Sequence, residues 1–115
     1  MKQYIVVTGG AGFIGSNLIK KLLDDKKCKI ISIDNYSTGK FRNHIADKRI
    51  RYISSDTKKI STVLKNYRKK IKVIFHFGEF SRIYQSFLKM SECIQSNTIG
   101  TNEVFNFCLK NKIKL

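Results

Sequence analysis

Thr8-Gly9-Gly10-Ala11-Gly12-Phe13-Ile14-Gly15 is the stretch whose surroundings decide how this chain folds. Residues 3–8 just before and into it, Gln-Tyr-Ile-Val-Val-Thr, form a short β-branched apolar run ended by glycines, the pattern of a strand buried on both faces of a parallel sheet. Across residues 13–25 after it, Phe13, Ile14, Leu18, Ile19, Leu22 and Leu23 recur at three- and four-residue spacing, which makes one apolar face of an amphipathic helix. The glycines therefore join a predicted strand to a predicted helix. Gly9 permits the tight turn, Gly12 lets the backbone approach a pyrophosphate, and Gly15 allows the helix to pack closely on the strand. The free N–H groups and positive dipole end of that helix then meet the phosphate charge.

Further along, Lys29–Asp34 reads as a second strand that ends on an acidic residue nineteen positions after Gly15, followed by the turn formers Asn35, Ser37, Thr38 and Gly39. A carboxylate at that place accepts hydrogen bonds from ribose hydroxyls and repels the extra phosphate of NADP, so the cofactor predicted is NAD. A mere turn aspartate is the weaker reading, because the spacing fits and no arginine directly follows. Ile50–Ser54 is a third strand, and residues 58–69 carry Ile60, Val63, Leu64 and Tyr67 at helical spacing. Residues 71–77 form a fourth strand. After a loop at 78–82, a long helical stretch over about residues 84–111 would set Met90, Cys93, Ile94, Val104, Phe105 and Cys108 on its core face. Residues 113–115 look like the opening of another strand. Alternating strands and helices predict an α/β, doubly wound parallel sheet, a Rossmann arrangement of about four to five strands in one domain over 1–115.

Composition narrows the class. The chain has 115 residues and a formal charge of +15, with 42% hydrophobic and 27% charged residues. Its lysines occur throughout, at helix ends and in turns rather than along one stripe, so we expect a solvated basic surface and no nucleic-acid partner. Such a surface still attracts phosphate-bearing small molecules. Three cysteines without a CxxC pair read as reduced packing residues, and two histidines far apart in sequence predict no metal site. The apolar run Tyr4-Ile5-Val6-Val7 is too short for a signal core or a membrane span, which predicts a soluble, cytoplasmic protein without a membrane partner.

Thr-Gly-Gly-Ala-Gly-Phe-Ile-Gly-Ser-Asn at 8–17, followed by Asp34-Asn35 and Ser37-Thr38-Gly39, resembles the extended short-chain dehydrogenase/reductases, specifically their nucleotide-sugar epimerases and dehydratases. The resemblance runs from residue 3 to 115. Asp56, with Thr57 beside it, matches the family aspartate that contacts the adenine amine. His76-Phe77-Gly78, with Glu79 next, matches the segment that closes the fourth strand along the cofactor, and Asn97-Thr98-Ile99-Gly100-Thr101 matches an NxxGT motif. The resemblance thus implies a cofactor-binding set of Gly9, Gly12, Phe13, Ile14, Gly15, Asp34, Asn35, Ser37, Thr38, Gly39, Asp56, Thr57, Phe77, Gly78, Glu79 and Asn97.

Some positions depart from that family. Ser55 stands where a glycine commonly precedes the adenine aspartate, and Gly78-Glu79 replaces a small pair of alanines. Ser81-Arg82 falls in the loop that the family turns toward pyrophosphate and sugar nucleotide, where it tunes substrate choice unless Arg82 is one more surface cation. Asn97 is either a cofactor contact or a buried amide that fixes its helix. His76 reads as a core residue at a strand end, because nothing nearby in sequence would orient it as a base.

The family's catalytic groups, a serine or threonine after the fifth strand and a Tyr-x-x-x-Lys pair, do not occur in the expected places. The one literal match, Tyr36-x-x-x-Lys40, lies in a loop where that spacing does not put two side chains on one face. We therefore expect no catalytic residue in these 115 and no activity from the chain by itself, the catalytic and substrate-binding parts being missing. The sheet would also keep an exposed apolar edge, covered by further chain or by a homo-oligomer. The resemblance implies transient hydride transfer between bound NAD and a nucleotide sugar in the complete enzyme. The alternatives are a non-catalytic NAD-binding module and a fragment of a nucleotide-sugar 4,6-dehydratase.

Overall fold

Four short runs rich in β-branched residues pair side by side, and the two central ones, at 4–8 and 29–34, are mostly buried along consecutive residues, as in a sheet covered on both faces. In the computed structural model, which describes residues 2–115, these are β1 (Tyr4–Thr8), β2 (Lys29–Asp34), β3 (Ile50–Ser54) and β4 (Ile71–His76). All pair in parallel, in the order β3-β2-β1-β4. The chain thus builds outward in one direction from β1 to β3 and then returns to the other side of β1. Residues 113–115 begin to run beside β4: Lys114 bridges Val73 in parallel and its carbonyl accepts the Ile74 N–H at 2.9 Å.

Alternation along the strands divides the core. Val7 and Ile30 face α1 (Phe13–Leu22), where they pack with Ile19 and Cys28. Val6, Ile31, Ile33, Ile71 and Ile74 face the other way, against α2 (Ile60–Val63) and α5 (Thr101–Asn111), where Leu64, Val104 and Phe107 close the layer. Each such side chain, fully buried, contributes about 1.5–3 kcal/mol of hydrophobic stabilisation. The strand ends and the α/β class follow the sequence expectation closely. Cys28 and Cys108 are free and buried, and burial pushes both thiols up.

The helices depart from it more. α1 stops at Leu22 rather than residue 25, because the Asp24 and Asp25 amides turn back to Lys21 and Leu22, and the Asp25 carboxylate accepts the Lys27 N–H at 2.9 Å. Phe13 and Ile14 do not join its core face: Phe13 is 83% exposed. The helix expected over 58–69 shrinks to a 3-10 turn at Thr57–Lys59 and the four residues of α2, since Ile60, Ser61, Thr62 and Val63 are all weak helix formers. The long C-terminal helix is also broken. α3 (Ile83–Leu88) and α4 (Met90–Ile94) are separated at Lys89, and a π-helical turn at Gln95–Gly100 precedes α5. Met90, Ile94 and Phe105 are consequently exposed, while Phe107 takes a core place with Val104 and Cys108. No helix among the described residues is long and apolar enough to cross a membrane.

One buried group carries a prediction. The Ser32 hydroxyl in β2 is sealed under Gly10 and has no hydrogen-bond partner among the described residues. Ser32→Ala should therefore raise stability by about 1 kcal/mol in urea unfolding. A loss of stability in that measurement would show that the hydroxyl is satisfied after all.

Candidate functional site

A cleft of about 890 Å³ opens at the carboxyl ends of the strands, across the point between β1 and β4 where the chain reverses its direction of winding. Open α/β sheets bind ligands at such a switch point, because the loops leaving two neighbouring strands there diverge. Of the residues expected from sequence, the cleft gathers Gly9, Gly12, Phe13, Ile14, Gly15, Asp34, Asn35, Ser37, Thr38, Asp56, Thr57, Phe77, Gly78 and Glu79. Gly39 and Asn97 do not line it. Gly39 instead packs on the Asp34 carboxylate, where a Cβ would sit 2.7 Å from Oδ2. The Asn97 amide spans the Phe80 backbone: its Oδ1 accepts the Phe80 N–H at 2.6 Å and its Nδ2 donates to the Phe80 carbonyl at 2.8 Å. Asn97 therefore holds the loop that forms one wall, which is the buried-amide reading of that residue.

The floor is the glycine turn. Gly9 takes a φ of +71°, and a Cβ there would come within 2.7 Å of the Phe77 carbonyl. At Gly15 a Cβ would run into the Gly9 carbonyl. These two glycines are required by the packing of turn, helix and β4. Gly12 differs: its backbone is extended, and a Cβ would meet only the Gly9 carbonyl, at 3.3 Å. The protein itself leaves the space over Gly12 open. Beside that space, the amides of Phe13, Ile14 and Gly15 have no partner among the described residues, since the first helical bond is from Ser16 N–H to the Gly12 carbonyl and Gly12 brings no side-chain cap. The first turn of α1 has no acidic residue. An uncapped helix N-terminus with room in front of it fits a phosphate group.

Asp34 closes the β2 side. It is 9% exposed, its Oδ2 accepts the Ala11 N–H at 3.0 Å and its Oδ1 the Tyr36 N–H at 2.8 Å. Two of a carboxylate's about four acceptor positions are thus used, leaving others for ligand hydroxyls. The loop after it is pinned onto the glycine turn: Lys40 N–H and Asn43 Nδ2 both donate to the Ala11 carbonyl, at 3.0 and 2.8 Å. Tyr36 adopts a left-handed φ of 60° and stacks on Phe41 with ring centroids 4.2 Å apart. Its hydroxyl bonds His44 Nε2 at 2.7 Å, and burial pushes the phenol up. That phenol does not line the cleft and is moved away from the ionised form a catalytic tyrosine needs, so the geometry agrees with setting the Tyr36–Lys40 pair aside.

Ile33, Ile83, Tyr84, Gln85 and Ser96, which the sequence did not single out, also line the cleft, together with Ser55, Ser81, Arg82 and His76, which it noted outside the cofactor-binding set. Ile83 to Gln85 belong to α3, which no motif marks and which only the path of the chain after β4 brings to the mouth. Arg82 is the only lysine or arginine in the lining among the described residues, which also holds the carboxylates of Asp34, Asp56 and Glu79. His76 is oriented after all, by residues distant in sequence: Thr8 Oγ1 lies 2.6 Å from Nδ1 and Thr101 Oγ1 2.9 Å from Nε2.

The chain matches a family model described as NAD dependent epimerase/dehydratase family over residues 5–115. Among solved structures it is similar to UDP-N-acetylglucosamine 4-epimerase from Methanobrevibacter ruminantium M1 in complex with UDP-N-acetylmuramic acid. That match has 31% identity and a TM-score of 0.81, covering 98% of this chain and 36% of that one. A dTDP-glucose 4,6-dehydratase from Streptomyces venezuelae with NAD and TYD bound matches at 25% identity and a TM-score of 0.85, over 96% of this chain and 37% of that one. UDP-glucose 4-epimerase from Thermotoga maritima, with UDP-glucose, shares the fold at 24% identity and a TM-score of 0.84, over 96% and 35%. The chain therefore spans about a third of the length of these solved proteins.

Proposed function

Because this chain belongs to the NAD dependent epimerase/dehydratase family, we propose that it is the cofactor-holding portion of a nucleotide-sugar epimerase similar to UDP-glucose 4-epimerase. In this reading residues 1–115 form the NAD-binding domain, and the nucleotide sugar and the proton-transferring groups are held by a further part of the enzyme. The observation that carries it is the uncapped first turn of α1 beneath the open space over Gly12. That turn supplies unpartnered N–H groups for the pyrophosphate. Asp34 accepts from the ribose hydroxyls of the adenosine half, Asp56 and Thr57 border its base, and Phe77 to Glu79 flank the other half on the β4 side. The chemistry that NAD supplies when bound is reversible acceptance of a hydride from a sugar carbon. This chain's residues bind and orient it. The three free cysteines support a reducing, cytoplasmic setting.

A second reading, a portion of a nucleotide-sugar 4,6-dehydratase, is favoured by the likeness to the Streptomyces enzyme. Both readings make the same first prediction. Calorimetric titration of the chain should find one NAD per chain, with NADP weaker by about tenfold or more because its additional phosphate meets the Asp34 carboxylate. Failure to bind NAD up to about millimolar concentration would overturn both. Turnover of a UDP-sugar by these 115 residues would instead refute the separation of cofactor and catalytic parts, whereas binding without turnover when the rest of the enzyme is supplied would leave a non-catalytic module.

A further inference from the structure

Between the glycine turn and α5 runs a chain of four side chains in which each proton can be assigned by counting. The Thr8 hydroxyl oxygen accepts the N–H groups of Phe77 and Gly78, both at 3.0 Å, and these fill its two lone pairs. Its own proton must then point at His76 Nδ1, 2.6 Å away. Nδ1 is thus the acceptor, and the imidazole is neutral with its proton on Nε2. That proton is donated to Thr101 Oγ1 at 2.9 Å, and the Thr101 hydroxyl donates to Glu79 Oε1, also at 2.9 Å. Every bond runs one way, from the head of the turn to a half-exposed carboxylate in the wall of the cleft. The chain of bonds ends on Glu79, one of the departures from the pattern of the family that the sequence resembles.

The His76 side chain is only 8% exposed. A second ring proton has one place to go, Nδ1, and there it would face an oxygen whose lone pairs are both in use. The Thr8 hydroxyl would have to release one of its two amides beside the place that Gly9 touches; Phe77 N–H keeps a second acceptor, the Thr8 carbonyl at 3.1 Å, so the bond given up is that of Gly78 N–H.

We propose that His76 and Glu79 are positioning residues for the cofactor-binding turn, and that protonating His76 releases Gly78, just after β4, from the Thr8 hydroxyl and weakens the hold on the dinucleotide. The second half rests on the NAD reading given above. β1 presents Thr8 to the ring and α5 presents Thr101, neither of which ionises in this range. The loop after β4 presents Glu79, 3.8 Å from Nε2, and among the described residues it is the charged group that acts on the ring. Burial lowers the histidine from its ordinary 6.5, and Glu79 opposes this more weakly. NAD affinity should accordingly be flat above the ordinary histidine value and fall only as pH drops through the lowered one. For one proton the fall is about tenfold per pH unit.

The test combines two measurements on the whole chain. Long-range proton–nitrogen spectra of ring-labelled protein, taken from about pH 8 to about pH 5, should show the neutral Nε2–H tautomer. The amide signals of Gly9, Phe77 and Gly78 should move with the ring's own titration. Calorimetry with NAD over the same range should show the flat and falling limbs. His76→Asn, which keeps an acceptor oxygen for Thr8 but cannot titrate, should show no falling limb, and Glu79→Gln should move it to lower pH. An Nδ1–H tautomer, amides that ignore the ring's titration, or a wild-type pH profile matching that of His76→Asn would each overturn the proposal. Absence of NAD binding at every pH defeats the functional reading instead, and the tautomer and amide shifts then still decide whether the latch exists.

Discussion

Alanine at Gly12 is expected to leave the protein folded and remove most of its NAD affinity, whereas alanine at Gly15 should damage both. At Gly12 the backbone is extended and suits any residue, and the new methyl would meet only the Gly9 carbonyl at 3.3 Å. The expected change in unfolding free energy is below about 1 kcal/mol, the range for exchanging residues at a helix N-cap. The methyl would nevertheless stand in the space before the unpartnered amides of Phe13, Ile14 and Gly15. Moving a pyrophosphate off one or two of those donors forfeits charge-assisted bonds worth about 1.5–3 kcal/mol each, or about ten- to a hundredfold in affinity per bond. At Gly15 the same methyl collides with the Gly9 carbonyl and comes within 2.9 Å of Gly10 Cα. Backbone atoms cannot swing aside, so the helix must lift from the turn, at about 1–3 kcal/mol or more. Urea unfolding and NAD titration of both variants separate the two effects. A Gly12→Ala protein that binds NAD as well as the parent would mean that no phosphate approaches over that glycine.

Asp34 carries the second large effect, because one carboxylate serves both the fold and the ligand. Asp34→Ala leaves the Ala11 and Tyr36 amides without acceptors in a nearly closed place, and each buried unpaired donor costs about 1–3 kcal/mol. Asp34→Asn keeps one acceptor and turns an N–H₂ toward the other donor, so it should lose about the lower end of that range. In either variant the loop at residues 35–44 loses its central tie, and the Ala11 and Tyr36 amides should exchange with solvent faster than in the parent. Removing the negative charge should also shrink the preference for NAD over NADP by about tenfold. Equal ratios of the two dissociation constants in parent and Asp34→Asn would sink the role given to this residue in choosing the cofactor.

Much of the fold is readable along the chain. All four strands and the start of α1 lie where the apolar runs and glycines put them, since burial on two faces demands uninterrupted apolar residues and the turn demands Gly9 and Gly15. The helices were less readable. Periodicity records which residues could face a core, not whether anything comes to cover them. Met90, Ile94 and Phe105 have the right spacing but meet no cover among the described residues, and in α2 the weak propensities of Ile60 to Val63 outweighed a good pattern.

The same division runs through the site. Gly9, Gly12, Gly15 and Asp34 sit at fixed spacings around the first strand-to-helix turn and the end of the next strand, so the sequence alone points to them, and the cleft brings them together. Their opposite wall is assembled by contacts between segments far apart in the chain. Asn97 reaches Phe80, Thr101 reaches Glu79, and His76 is oriented by Thr8 and Thr101 at separations of 68 and 25 residues. By itself the sequence determined the parallel α/β class, the glycine turn and the acidic end of β2, because each is a local requirement of backbone geometry and burial. Only the tertiary structure decided that the Asn97 amide is spent on the Phe80 backbone, and that both His76 nitrogens meet threonine hydroxyls. A hydrogen bond depends on where two groups meet in space, and here that is set by packing β4 and α5 against β1.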